Sequence, residues 1–345
     1  VRLEDFDYPL PPDRIAQRPA EPRDAARLLV DRGDPAAAAP LDLRVRELPG
    51  LLAPGDLLVV NDTRVMPARL RLLRRSGGAV EVLLLEPRDG ARERWEALVR
   101  PGGKVRDGEE LLGADGATVA LMGPRTAAGD TFEVLLRPGA GRAVDELLAS
   151  RGEVPLPPYI TTPLGAPERY QTVYAREGHS AAAPTAGLHF TPGLLDALEA
   201  RGVSVARVEL TVGLDTFQPV VAPDPSEHAM HSEAYRVPPE TLAACHATRA
   251  RGGRVVAVGT TAVRALESAA RGESAGRTRL FIHRGFEFAL VDRLLTNFHL
   301  PRTTLLMMID AFVGPRWRGL YAHAIARDYR MLSFGDAMLL DRHLR

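Results

Sequence analysis

The sequence predicts a layered α/β domain interrupted by an inserted antiparallel β domain, either a small barrel or a sandwich. Two observations predict it. From about residue 180 onward helical stretches alternate with apolar strands, whereas residues 64–150 hold only short β-compatible runs cut by glycine turns. The apolar run at 57–60 belongs with the later alternation. The α/β domain is therefore read as discontinuous, residues 1–63 and 151–345, with residues 64–150 as the insertion.

The elements follow in order. A proline-rich opening leads to LLAPGDLLVVNDT at 51–63, where Pro54-Gly55-Asp56 makes a turn and LLVV at 57–60 reads as the first buried strand of the α/β domain. The Ala36–Ala39 run before it reads as a loop. In the insertion, RVMPARLRLL, AVEVLLLE, RWEALVR, ATVALM and TFEVLLR are strands separated by Ser76-Gly77-Gly78, Asp89-Gly90, Pro101-Gly102-Gly103 and Asp115-Gly116. Thr191-Pro192 can cap a helix through LLDALEA that stops at Gly202. Residues 203–210 then read as a strand, PPETLAACHATRAR as a helix ended by Gly252-Gly253, and 254–258 as a buried strand feeding a helix over 261–270. This alternation points to a parallel sheet.

Composition excludes several classes. The 345 residues are 45% hydrophobic and 26% charged, which is ordinary for a globular chain and argues against disorder. Formal net charge is +0, so a polyanionic partner would have to be gripped by a local basic patch. Lys104 is the only lysine among 44 basic residues. Biased codon usage is enough to produce that, but it makes nearly every cation a planar fork suited to carboxylate and phosphate. Cys245 stands alone, which excludes an intrachain disulfide and suits a reducing cytosol. The acidic, proline-rich start carries no apolar signal segment, and the longest apolar runs are far below a membrane span. A soluble, cytoplasmic protein is expected, and a monomer, because no long exposed apolar helix suggests a dimer seam.

Six segments carry chemistry. VVAVGTTAVRALES at 255–268 is a strand, a Gly-Thr-Thr turn and a helix. Free N–H groups at such a helix start attract anions, Gly259 admits a ligand to the backbone, and Thr260 and Thr261 add hydroxyls. A plain strand-to-helix turn is the alternative. AAPTAGLHF at 182–190 is a small-residue loop ending in His189 and Phe190, whose imidazole either exchanges protons or is a buried structural group. In MHSE at 230–233, His231 and Glu233 would share one face of a strand as an acid–base pair, and the spacing fits no usual zinc pattern. TNFHLPRTTL at 296–305 offers Asn297, Phe298 and His299, with Thr303 as a helix cap. Phe298 either stacks on a base or lies in the core. Asp336, in SFGDAM, is a turn former or a site carboxylate. NDTRVMPARLRLLRR at 61–75 concentrates arginines, including Arg64 and Arg69, that suit phosphate contacts. No G-x-G-x-x-G or Walker pattern occurs, so ordinary dinucleotide and P-loop readings are unsupported.

Together and in order, NDTRVMPARL, VPLPPYI, RYQTVYA, AAPTAGLHF, TFQP, MHSE, VGTTAVRALES, TNFHLPRTTL and YRMLSFGDAM resemble the S-adenosylmethionine:tRNA ribosyltransferase-isomerase family over nearly the whole chain. The chain departs from the family pattern at Thr211, where the family has His, at Asp215, where it has Gly, and at Gly178-His179, where it has Pro-Gly. No catalytic role therefore passes to position 211. The resemblance implies an α/β domain interrupted by a β-barrel. It implies S-adenosylmethionine as co-substrate, no resident cofactor and no metal. The acceptor it implies is tRNA carrying 7-aminomethyl-7-deazaguanine, and the products are epoxyqueuosine in tRNA, adenine and methionine.

That chemistry sets requirements. A sulfonium acidifies the adjacent ribose C5′ hydrogens, departing adenine benefits from a proton, and the attacking amine must be neutral. On these needs His189, His231 and His299 are expected to move protons, with Glu233 and Asp336 as partnering carboxylates. Thr185, Gly187, Gly259, Thr260, Thr261, Arg264 and Asn297 are expected around the donor, Arg264 with the threonines on its carboxylate or ribose. Phe190, Phe298 and Tyr159 are expected to supply stacking or cation–π surface. Asn61, Arg64 and Arg69 are expected at the tRNA. The competing readings are a non-catalytic RNA-binding protein and a methyltransferase. The first makes poor use of three histidines in small-residue loops, and the second needs a glycine loop that NDTR after LLVV does not provide.

Overall fold

The computed structural model describes every residue except 1, 34–38, 128, 140, 177–179, 214–229, 231 and 344–345. Most of the Ala36–Ala39 run, the TFQP segment, Asp215, Gly178-His179 and His231 fall among these exceptions, so expectations placed there lie outside the described residues. Two compact units are present, residues 1–64 with 157–178 and 183–345, and residues 65–156 with 179–182.

The larger unit is built on a nine-stranded sheet. Its first strands, β1 (Arg27–Val30) and β2 (Leu41–Arg44), precede β3 (Leu57–Asn61). This corrects the reading of 57–60 as the first strand. The proline-rich opening hid β1, which pairs in parallel with a strand more than 300 residues later in the chain. The smaller unit contributes β4 (Arg69–Arg74), β5 (Ala79–Pro87), β6 (Arg94–Arg100), β7 (Glu110–Leu112), β8 (Thr118–Arg125), β9 (Phe132–Leu136), the helix α1 (Val144–Arg151) and β10 (Gly152–Glu153). Then follow α2 (Pro192–Ala200), β11 (Ser204–Leu210), β12 (Glu233–Arg236), α3 (Pro239–Ala250), β13 (Val255–Val258), α4 (Thr260–Ala269), β14 (Ala275–Thr278) and β15 (Arg293–Asn297). α5 (Thr304–Val313), α6 (Trp317–Ala326) and β16 (Ala337–Asp341) complete the fold.

The large sheet runs β14-β12-β11-β3-β13-β15-β16-β1-β2. Its centre, β11-β3-β13-β15, is parallel, while β15–β16, β1–β2, β11–β12 and β12–β14 are antiparallel, so the sheet is mixed rather than wholly parallel. β3 and β13 are buried along their whole length, which is why LLVVN and VVAV read as continuous apolar runs. Alternate residues of these strands, Leu58, Val60, Val256 and Val258, pack with Leu194 and Leu198 of α2. Thr191 caps α2 by accepting from the Leu194 N–H at 3.1 Å, and the cap expected at Thr303 accepts from Leu306 in α5.

The small unit closes on itself. Strands β4, β5, β6, β9, β8 and β7 pair in sequence, and β7 returns to β4 with Leu73 opposite Leu112, which makes a closed antiparallel barrel. Alternation is plain on β6, where Trp95, Ala97 and Val99 point inward. A three-residue strand such as β7 has too short a pattern to be seen in sequence.

Candidate active site

Parallel strands end on one edge of a sheet, and the loops beyond those ends gather polar groups. Here β13 ends at Gly259 and β15 at Asn297. Gly259 has a φ of +86°, a left-handed conformation that favours glycine. Its N–H donates to the Leu295 carbonyl at 2.8 Å, and α4 starts directly afterwards with no side chain capping it.

Asn297 draws three distant segments together. Its Oδ1 accepts from the Thr185 hydroxyl at 2.9 Å, and its Nδ2 donates to the Leu332 carbonyl at 3.2 Å. The Tyr159 hydroxyl bonds Ser333 Oγ at 2.7 Å, tying VPLPPYI to the same turn. The result is a cleft open to solvent. Thr185, Gly259, Thr260, Thr261, Asn297, His299 and Tyr159, each expected at the site, line it. Thr296, Thr303, Ser333 and Val212 line it too and were not assigned to the donor from sequence. For Thr296, Thr303 and Ser333 the only sequence signal was membership of the TNFHLPRTTL and SFGDAM strings, because a lone hydroxyl reads as a cap or a turn; Val212 lies in neither string. No described residue on the cleft wall is an Asp, Glu, Lys or Arg.

His299 is the one imidazole on the described wall. Its Nε2 meets the Thr296 hydroxyl at 3.1 Å. Burial pushes its pKa down to about 3, so at physiological pH the ring is neutral and a weak base that holds its contacts as hydrogen bonds. Burial likewise raises the Tyr159 phenol above its ordinary range, which keeps the hydroxyl protonated.

Other expectations are corrected by packing. His189 is not on the cleft wall. Its Nδ1 lies 3.1 Å from the Ala186 carbonyl and its Nε2 3.0 Å from that of Gly335; burial holds its pKa below the ordinary value, so the neutral ring donates its single N–H to one of these carbonyls. Asp336 is a turn former. Its carboxylate accepts from the backbone N–H groups of Arg27 and Arg330 at 2.9 and 2.8 Å. Glu233 and Arg264 form a buried ion pair with each other, so neither faces the cleft as an acid–base partner or a carboxylate clamp. Desolvation brings the Arg264 pKa down to about 10.

The aromatic assignments change for the same reason. Phe190 has no exposed surface and meets Tyr174 edge to face at 6.1 Å. Phe298 borders the cleft but is fully buried, with its ring edge-on to Tyr321 and Tyr329, so of the three aromatics only Tyr159 remains available. Gly187 serves packing rather than the donor: a Cβ there would lie 2.1 Å from the Tyr174 hydroxyl. Asn61 is buried and clips β3 to β11, donating to the Leu210 carbonyl at 3.0 Å and accepting from the Leu210 N–H at 3.2 Å. Arg69 is half-buried in the barrel unit beside Glu81 at 3.7 Å. Arg64 is exposed.

The model of the queuosine biosynthesis protein family matches residues 3–340. A protein from Symbiobacterium thermophilum named S-adenosylmethionine:tRNA ribosyltransferase-isomerase is 51% identical over 99% of this chain and 100% of its own length. The chain belongs to the queuosine biosynthesis protein family. A family relative from Moorella thermoacetica bearing the same name is 50% identical over 99% of this chain and all of its own. The crystal structure of an S-adenosylmethionine tRNA ribosyltransferase from Thermotoga maritima has 40% identity and a TM-score of 0.54, covering 97% of this chain and 99% of that one. The expected fold class, a layered α/β domain with an antiparallel β unit, is present in this chain, with a mixed sheet in place of a parallel one and a closed barrel as the β unit. No helix among the described residues is long and apolar enough to cross a membrane.

Proposed function

We infer that this chain is a tRNA-modifying transferase-isomerase, an S-adenosylmethionine:tRNA ribosyltransferase-isomerase of queuosine biosynthesis. It moves the ribosyl part of S-adenosylmethionine onto 7-aminomethyl-7-deazaguanine in tRNA, yielding epoxyqueuosine, adenine and methionine. S-adenosylmethionine is consumed as a co-substrate, and no resident cofactor is invoked. The observation that carries the reading is the cleft itself: three family motifs, linked through Asn297, enclose a hydroxyl-rich space with one neutral imidazole.

In this scheme His299 is the proton-transfer candidate on the described wall, by position rather than by basicity. Tyr159 offers a face to the adenine or the sulfonium. His231 stays a proton-transfer candidate on its motif alone. Arg64 is assigned to a tRNA phosphate, and Arg64→Ala should flatten the salt dependence of tRNA binding by about one phosphate contact. An unaltered slope excludes that role. We read the chain as a cytoplasmic monomer in which residues 64–150 form an insertion, and light scattering with and without tRNA tests the monomer.

The deciding experiment incubates the protein with S-adenosylmethionine and tRNA carrying the deazaguanine precursor, followed by mass analysis of nucleosides and small products. Epoxyqueuosine with free adenine and methionine is the expected outcome. S-adenosylhomocysteine instead would make the protein a methyltransferase, and no product at all would leave an RNA-binding role.

A further inference from the structure

The start of α4 is chemically unfinished. By helix geometry the N–H groups of Thr260, Thr261 and the following Ala262 have no acceptor within the helix, and no side chain caps them. Thr261 is more than nine-tenths buried and lines the cleft, yet its hydroxyl has no hydrogen-bond partner. That oxygen lies 3.7 Å from where a side chain on Gly259 would begin, so the hydroxyl and the glycine turn border the same space. A buried hydroxyl without a partner is unfavourable unless something completes it. Helix-start N–H groups and a spare hydroxyl together call for an anion.

We propose that this pocket seats the carboxylate at the amino-acid end of the donor, held by the α4 N–H groups and the Thr261 hydroxyl. The proposal rests on S-adenosylmethionine being the donor. Arg264, the one cation of α4, is neutralised by Glu233, so the carboxylate is bound by backbone and hydroxyl alone. Seating it there orients the rest of the donor. β13 and β15 are neighbours in the sheet, and adjacent strands lie about 4.8 Å apart, comparable with the reach of a methionine side chain. The sulfonium and its ribose then fall towards Thr296 and His299 at the end of β15.

The test measures binding by calorimetry for S-adenosylmethionine and for its decarboxylated form, which keeps the adenosine, sulfonium and amine. Wild-type protein should prefer the carboxylated donor. Thr261→Val should weaken S-adenosylmethionine by about 10-fold, the loss of one hydrogen bond to a charged group, and leave the decarboxylated form unchanged. Thr261→Ser, which keeps the hydroxyl, should retain wild-type affinity and controls for folding. Equal loss for both ligands, or loss for neither, overturns the proposal. Wild-type turnover of S-adenosylmethionine without any preference over the decarboxylated donor overturns the seat alone. Preferential binding without adenine release on substrate tRNA overturns the functional reading and leaves the seat standing.

Discussion

The hydroxyl of Tyr8 donates to the backbone carbonyl of His299 at 2.6 Å, across 291 residues of chain. On the other side the His299 N–H donates to the Tyr321 hydroxyl at 3.0 Å, and the two tyrosine rings meet edge to face at 4.9 Å. The imidazole on the cleft wall is thus braced by the first turn of the chain and by α6. Tyr8→Phe removes one brace while keeping the ring contact. We expect a stability loss of about 1 kcal/mol and a lower kcat with an unchanged donor KM. Thermal melts and steady-state kinetics check it; a wild-type kcat would show that the brace does not matter for turnover.

His299→Ala should slow single-turnover transfer by about 10²–10⁴-fold if the ring moves a proton. Because burial puts its pKa near 3, the wild-type rate profile should show no limb near pH 6.5 arising from this residue. The same depression has a stability consequence. An unfolded histidine takes up a proton below about pH 6.5, whereas the folded ring stays neutral until about pH 3, so stability is full above 6.5 and lost as pH falls through that window. His299→Asn should therefore lose less stability than wild type between pH 7 and 4, by up to about 3 kcal/mol. Chemical denaturation at several pH values measures the difference, and parallel curves would contradict it.

His189→Ala separates structure from chemistry. The side chain lies between two backbone carbonyls and donates its N–H to one of them, so its loss should cost about 1–3 kcal/mol of stability and leave the rate of the folded fraction within a few-fold. A thousand-fold rate defect in a protein that melts normally would restore His189 to the mechanism.

Glu233 and Arg264 should behave as a unit. Glu233→Gln alone leaves a buried guanidinium uncompensated and should cost about 3–5 kcal/mol, whereas Glu233→Gln with Arg264→Met should cost less than the sum of the two single changes. Urea midpoints for the four proteins complete the cycle, and additive losses would argue against coupling.

Gly187→Ala introduces a methyl group 2.1 Å from the Tyr174 hydroxyl and 2.8 Å from the Thr172 methyl. Overpacking of this kind should destabilise by about 1–3 kcal/mol, and adding Tyr174→Phe should recover part of it. Lack of any rescue would place the strain elsewhere.

The motif strings located the cleft, since Thr185, Thr260, Asn297 and His299 all reach it. They did not separate residues that face a ligand from residues that make the loops hold their shape. His189 and His299 look alike in sequence, each beside a phenylalanine in a small polar loop. The difference is what their ring nitrogens meet: backbone carbonyls for His189, one of them 146 residues away, and the Thr296 hydroxyl for His299.

Local patterning determined β3, β4, β5, β6, β8, β9, α2, β11, α3, β13 and α4, because alternation, caps and glycine stops act over a few residues and are written in the order of the chain. Texture alone signalled an antiparallel β unit without choosing between barrel and sandwich, and motif order marked the family. Only the tertiary structure decided that Asp336 binds backbone, that Arg264 is claimed by Glu233 and that the start of α4 is left uncapped. Those outcomes depend on burial and on partners distant in sequence, and desolvation, which sets the charge of His299, exists only once the chain has closed around it.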